Sequence, residues 1–484
     1  MTPRTMLALA LALALALAPG AALAQADGEV FTKQYEDGGV YEGTFQGGLQ
    51  HGTGTYRLPN GYEYTGEWVD GEIEGTGRAT FANGSVYEGT FRRGKPEGTG
   101  RITFVDGGTY EGDWADGEIT GEGRAAYAGG VVYEGGFRAA KHHGAGRMES
   151  PNGYVYEGEW VNGERQGEGR IVYPDGAVYE GEVVVGLREG TGTLTMPDGT
   201  VYAGQWADNE IDGTGTLTHP GGDVYEGGFA GGRRAGEGRV TYASGDVYEG
   251  AFAGDSRHGR GRFVGADGFE YEGEWRGGAI EGTGTATYPD GAVYEGEFAN
   301  GLAHGAGKIT YPDGNTYEGT WREGVIEGAG TATYAGDLVY EGEFRGARNH
   351  GQGRMTYPDG YVYEGGWVDG QREGEGTATY PDGTVYVGQF AGGLRHGEGR
   401  IEMPGGFAYE GAWKAGEIDG EGTATYANGD VYEGTFRAGQ RQGDGTIRYA
   451  TGQVASGDWV DGSLVRGSAA EAPAAEEGTP PTDG

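Results

Sequence analysis

Four histidines, His258, His304, His350 and His396, are spaced 46 residues apart, and His51 and His143 hold the same place in earlier stretches of the chain. Evenly spaced imidazoles suggest metal ligation, which requires them to converge on one ion. The 46-residue interval spans two copies of a two-strand unit described below, so successive histidines fall roughly 19 Å apart along a sheet, too far to share an ion. They read as surface histidines in loops. Aspartates recur in Gly-rich turns, Asp313 among them, but the calcium-binding pattern G-G-x-G-x-D-x-U-x is absent and the turns lack clustered oxygen ligands. No metal and no cofactor is therefore expected. Nucleophilic or acid–base catalysis finds no better footing. The chain has no cysteine, and each candidate His, Asp or Ser recurs at equivalent places, whereas an active site is a single constellation that breaks the symmetry. The chain reads as non-enzymatic.

The strongest candidates for binding are aromatic, since the chain holds nine Trp and 33 Tyr. Trp68, Trp114, Trp160, Trp206, Trp275, Trp321, Trp367 and Trp413, with Tyr294 and Tyr317 as examples of the tyrosine that opens each unit, form a ladder at fixed spacing. On an open curved sheet such rings would stack on sugars or grip peptide segments. The competing reading, which the registers below favour, is that they stack on one another and on glycine.

The unit that positions them is clearest at Tyr294 to Thr316, YEGEFANGLAHGAGKITYPDGNT. Steps of 23 residues run from Tyr41 to Tyr432 without insertion or deletion, giving eighteen full copies and a partial nineteenth from Ala455 to Gly467. Tyr294, Gly296 and Phe298 alternate with Glu295 and Glu297, placing rings on one face of a strand and carboxylates on the other. Gly305, Gly307, Ile309 and Tyr311 alternate likewise with Lys308 and Thr310. Pro312-Asp313-Gly314 has the chemistry of a three-residue hairpin loop ending in a glycine bulge. Counting back from that turn sets Ile309 opposite Tyr317, Lys308 opposite Glu318 and Gly305 opposite Trp321. Closing the other connection, Ala299 to His304, with Phe298 against Gly305 sets Tyr294 opposite Ile309 and Glu295 opposite Lys308. A one-residue slip would break the agreement between the two sides.

The aromatic four places after each leading Tyr alternates, Phe45, Trp68, Phe91, Trp114, but the alternation fails at Val183 and reverses at Phe229 and Phe252. Ile follows several Trp units, as at Ile73, Ile119 and Ile280, and His follows many Phe units. Duplication of two-unit blocks accounts for this.

The unit YEGEW/F-x-x-G-x-x-x-G-x-G-x-x-x-YPDG-x-x-Y closely resembles the MORN repeat, from Tyr41 to Gly467. Val183 departs at the Trp/Phe place, Thr65, Ala203 and Val387 at the Glu, and Ala455 at the last Tyr, which puts local ring stacking in question at those points. The resemblance implies an all-β fold, an elongated single-layer twisted antiparallel sheet of tandem β-hairpins, and a role as scaffold, dimerisation surface or lipid-associated module. About 36 strands at roughly 4.8 Å give a sheet of about 170 Å.

The remaining segments divide the chain. Residues 1–24 read as a secretory signal peptide, with Arg4, an apolar run from Met6 to Ala18 and cleavage between Ala24 and Gln25. Residues 25–40 are a lead-in containing Tyr35-Glu-Asp-Gly38, a worn copy of the turn, expected to cap the first edge. Residues 468–484, rich in Ala, Pro and Glu, are expected to be disordered. The net charge of −39 disfavours nucleic acid and makes membrane association weak or indirect, Arg233 and Arg234 being a local exception. It favours a basic partner. Arg78, Arg101, Arg170, Lys308 and Arg354 among the outer glutamates read as a solvated cross-strand pattern. The expectation is an exported scaffold, periplasmic or secreted, binding another envelope protein. Alternatives are carbohydrate or lipid-surface binding by the Tyr/Trp face, and homodimerisation through end edges or the stripe Val155, Val178, Val201, Val224 and Val247.

Overall fold

Two kinds of reverse turn alternate along the chain and set what lies between them. In the computed structural model, which describes residues 29–470, the first kind is seen at Tyr311–Asn315. The Gly314 N–H donates to the Tyr311 carbonyl at 2.9 Å and the Tyr311 N–H to the Asn315 carbonyl at 2.8 Å. The Asp313 carboxylate accepts from the Asn315 N–H at 3.0 Å, and Gly314 takes φ +87°, a left-handed value that costs glycine nothing sterically. The ladder leaving this turn pairs Thr310 with Thr316, Ile309 with Tyr317, Lys308 with Glu318 and Gly305 with Trp321, the register counted from the sequence.

The second turn is tighter than expected. Asn300 and Gly301 take φ +51° and +81°, the two left-handed centres of a type I′ turn, whose twist matches the strands it joins. Phe298 consequently faces Ala303 rather than Gly305, and the count is restored by a bulge that sets His304, Gly305 and Ala306 against Glu297 before Gly296 meets Gly307. Gly305 takes φ +63° within it. Beyond the bulge, Tyr294 opposes Ile309 and Glu295 opposes Lys308, as the alternation requires. The Gly301 N–H donates to the Ile280 carbonyl one repeat earlier at 2.9 Å, so each second turn is tied to its predecessor.

Repetition of this pair of turns gives thirty-nine strands and no helix among the described residues, from β1 (Val30–Gln34) to β39 (Ser463–Ala470). The chain forms two units, residues 29–243 with 252–255 and residues 244–251 with 256–470, and the division falls within β20 (Val247–Ala253). Within each unit the strands are antiparallel hairpins in chain order. The first strands place their rings inward as β24 (Val293–Ala299) does, with Tyr294 and Phe298 buried and Glu295 and Glu297 exposed. The core of each unit is therefore the ring-bearing face of its own sheet.

The lead-in forms the first edge. β1 pairs with β2 (Val40–Gln46) from Val30 opposite Thr44 to Gln34 opposite Val40, and the worn turn closes with the Gly38 N–H on the Tyr35 carbonyl at 3.1 Å. At the other end β39 pairs with β38 (Val454–Val460) as far as Ala470 opposite Val454, three residues past the boundary drawn at Gly467. Backbone pairing there overrides a composition that reads as tail. The signal segment, its cleavage point at Ala24 and Gln25, and the rest of the tail lie outside the described residues.

Candidate functional site

The aromatic ladder is held by glycine. The Tyr294 ring lies across Gly307, where an added Cβ would fall inside it, and its hydroxyl donates to the Glu297 carbonyl at 2.9 Å. Tyr294 meets Phe298 and the next repeat's Trp321 edge to face, with centroids 5.0 and 5.1 Å apart. Tyr317 continues the series with Trp321 at 5.5 Å and Phe344 at 5.0 Å. Such T-shaped pairs suit the ring quadrupole. The Trp321 indole N–H donates to the Gly307 carbonyl at 3.2 Å. Trp68, Trp114, Trp160, Trp206, Trp275, Trp367 and Trp413 do the same to Gly54, Gly100, Gly146, Gly192, Gly261, Gly353 and Gly399.

All ten ring residues singled out from the sequence thus lie on the ring-bearing face of their own unit's sheet, and all are closed off: the eight tryptophans are 1–8% exposed, Tyr294 0% and Tyr317 2%. Burial pushes the Tyr294 and Tyr317 hydroxyls up to about 12. No ring of this ladder is presented to a ligand.

A set of residues that sequence reasoning missed completes the ladder. Five places after the Trp or Phe, where some repeats carry Ile, others carry Arg165, Arg188, Arg234, Arg257, Arg372, Arg395 and Arg441. These arginines lie over the rings. Arg188, Arg257 and Arg441 stand 4.2 Å from the Trp206, Trp275 and Trp459 centroids, and Arg395 stands 4.4 Å from Trp413. The far nitrogens donate to the next repeat's turn, Arg395 to the Gly416 carbonyl at 2.8 Å and Arg441 to Gly462 at 2.7 Å. A planar cation suits both contacts at once. Arg188 stands opposite Val183, the one such place where the ring is missing. The signal was available: Arg replaces Ile at a constant distance from the ring. Arg234, read from sequence as a basic surface group, is instead half-buried over Tyr225 and Phe252.

In one repeat the same place holds His142. Its ring stacks on Tyr133 at 3.7 Å and Nε2 lies 2.7 Å from the Tyr127 hydroxyl. At 6% exposure, burial pushes the imidazole down to about 4.

The evenly spaced histidines are on strands, not in loops. His304 sits in the bulge of β25 (Leu302–Thr310), because the turn before it is only two residues long. Its Nδ1 accepts from the Glu323 N–H at 3.5 Å, and His51 accepts from Asp70 at 3.4 Å. Elsewhere Glu97 and Glu281 take that part, accepting from Asp116 and Asn300 at 2.9 and 3.0 Å. His51 and His304 are thus two of several acceptors for the next repeat's turn, whereas Nδ1 of His143 and of His350 is buried without a hydrogen-bond partner. Among the described residues, no group of three or more His, Asp or Glu is placed to hold a metal ion.

The opposite face is polar and exposed. Arg78 and Arg170 meet Glu88 and Glu180 at 3.2 Å, while Lys308 and Arg354 stand opposite glutamates in register. Exposed pairs of this kind contribute well under about 1 kcal/mol each. Val155, Val178, Val201, Val224 and Val247 lie on this face and are half-buried. No helix among the described residues is long and apolar enough to cross a membrane.

Eighteen successive segments, from residues 41–61 to 432–454, match the MORN repeat. The chain belongs to the MORN-repeat family: it is a repeat scaffold for protein or membrane interaction, of a kind that is typically non-enzymatic. No curated protein matches the sequence. Among solved structures, the TCP domain of Drosophila melanogaster SAS-4, in complex with a proline-rich motif of Ana2, is similar at 15% identity and TM-score 0.20, over 44% of this chain and 96% of that one. The TCP10 domain of Danio rerio CPAP, with a STIL peptide, is similar at 14% identity and TM-score 0.08, over 78% and 97%. Staphylococcus aureus virginiamycin B lyase with quinupristin gives 12% and 0.10, over 76% and 97%. Scores this low leave the repeat family to define the fold.

Proposed function

We propose that this chain is an exported, non-catalytic scaffold that recruits a basic protein of the cell envelope through its polar face. The observation that carries the reading is the closure of the ladder. With the tryptophans at most 8% exposed, stacking on sugars or acyl chains would require the core to open, so the glutamate-rich face is the extended surface left for a partner. A net charge of −39 steers cationic partners and repels anionic lipid. Export is supported by the apolar run from Met6 to Ala18 and the Ala22-Leu23-Ala24 site.

Affinity capture from envelope extract, with the chain from Gln25 as bait at low and high salt, tests this reading. A basic protein held at low salt and released at high salt is the expected result. Glycan or lipid retained at high salt, with quenched tryptophan fluorescence, would overturn it. N-terminal sequencing of the exported product is expected to begin at Gln25.

A further inference from the structure

The polar face of the later unit carries gaps at a fixed interval, and their use follows from the recruitment of a basic partner proposed above. In most repeats the second strand places one residue between glutamates of the strands on either side, as Lys308 lies between Glu295 and Glu318. Early in the chain that place holds Arg78, Arg101, Arg124, Arg147 and Arg170 in succession. Glu88 and Glu157, for example, therefore have an arginine on both sides.

From Arg262 to Thr423 the place alternates between a cation and threonine, Arg262, Thr285, Lys308, Thr331, Arg354, Thr377, Arg400 and Thr423, and the series ends at Thr446, which lies between Glu433 and Ser456. Thr285 lies between Glu272 and Glu295, Thr331 between Glu318 and Glu341, and Thr423 between Glu410 and Glu433. Thr377 has Glu364 on one side and Val387 on the other. The threonines are half-buried and the glutamates exposed, so three threonine strands floor troughs with an acidic wall on each side and the Thr377 strand one with a single acidic wall. At β23 (Ala279–Thr287) the trough is a cleft of about 470 Å³ lined by Thr283, Thr285 and Thr287 and by Glu270 and Glu272, with Arg260 and Arg262 beside them. The ion pairs of this unit are Arg262–Glu270, Arg400–Glu402 and Arg400–Glu410. Among the described residues they leave Glu272, Glu295, Glu318, Glu341, Glu364 and Glu433 without one.

We propose that these four troughs bind one extended basic segment of a partner protein, each trough taking a Lys or Arg side chain. Successive troughs are four strands apart, roughly 19 Å, which an extended chain spans in about six residues. Six is even, so cations at every sixth position point the same way. In the earlier unit Arg78 to Arg170 fill five of these places, and its threonines, Thr55, Thr193 and Thr216, each have a glutamate on one side only, so the regular series belongs to the later unit.

The test uses the full chain and two fluorescent Gly/Ser peptides of about 20 residues, one with four lysines six apart and one with the four contiguous. Fluorescence anisotropy at low salt is expected to show the spaced peptide binding at least about tenfold tighter. The variant Thr285→Arg/Thr331→Arg/Thr377→Arg/Thr423→Arg, which places in the troughs the residue already present at Arg354 and Arg400, is expected to lose that preference. Thr331→Val, which leaves its trough open, is expected to keep it. Equal binding of the two peptides, or a preference that survives filling the troughs, overturns the troughs while leaving a basic partner standing. Failure of both peptides to bind removes the troughs and the basic partner alike.

Discussion

Replacing His142 with isoleucine should remove a pH dependence from one part of the array. The imidazole is buried against Tyr133, Phe137 and Trp160, with Tyr127 at its Nε2. Burial holds its pKa at about 4 rather than 6.5. The unfolded chain therefore takes up a proton near pH 6.5 that the folded chain refuses until about pH 4. Stability from this group is complete above pH 6.5 and is lost as the pH falls towards 4. At about 1.4 kcal/mol per pH unit the full loss is about 3 kcal/mol, of which about 2 kcal/mol is gone at pH 5. His142→Ile puts the residue of Ile73 and Ile119 in the same slot, so it should cost little at pH 7.5 and be the more stable form at pH 5. Because a repeat array opens locally, the assay is hydrogen exchange of peptides covering β10 (Val132–Arg138) and β11 (Lys141–Glu149), comparing the two proteins at each pH so that intrinsic rates cancel. Parallel loss of protection in both would refute the argument.

Gly307→Ala places a methyl group inside the Tyr294 ring and should cost about 3 kcal/mol, read as faster proteolysis between Tyr294 and Trp321. Arg395→Lys keeps the charge but cannot both cover Trp413 and reach the Gly416 carbonyl; a loss of about 1–2 kcal/mol is expected, measured by urea unfolding. Val185 is β-branched at φ +49°, a strained position, and Val185→Asn, matching Asn162 in the preceding repeat, should stabilise by about 1 kcal/mol; an unchanged or lower melting temperature would contradict this.

The turn at Pro312–Gly314 could be read in advance because each residue there has one dominant conformational preference, and the register from Thr310 to Trp321 followed from it. The other half of the unit was legible only beyond its bulge. Asn300-Gly301 carries a type I′ signal, but the bulge at His304 to Ala306 absorbs the displaced residues and restores the alternation at Gly307, so a wider loop fits the same pattern. The same slip put the histidines in loops. The ring face was legible as a face, since Tyr and Gly alternate with Glu. Its closure depends in part on arginines whose charge in a turn-rich sequence reads as solvated, and on their approach to within 4.2–4.4 Å of Trp rings, which spacing alone does not disclose.

The proposed function has the glutamate face bind a partner while the ring face stays closed. Its most direct measurement compares capture by the native chain with capture by Glu318→Gln/Glu341→Gln/Glu364→Gln/Glu410→Gln/Glu433→Gln from the same envelope extract at low and high salt. Loss of a basic partner in both the variant and the high-salt arm is the predicted result. Undiminished capture by the variant, or bound glycan or lipid that quenches tryptophan in either protein, would contradict it.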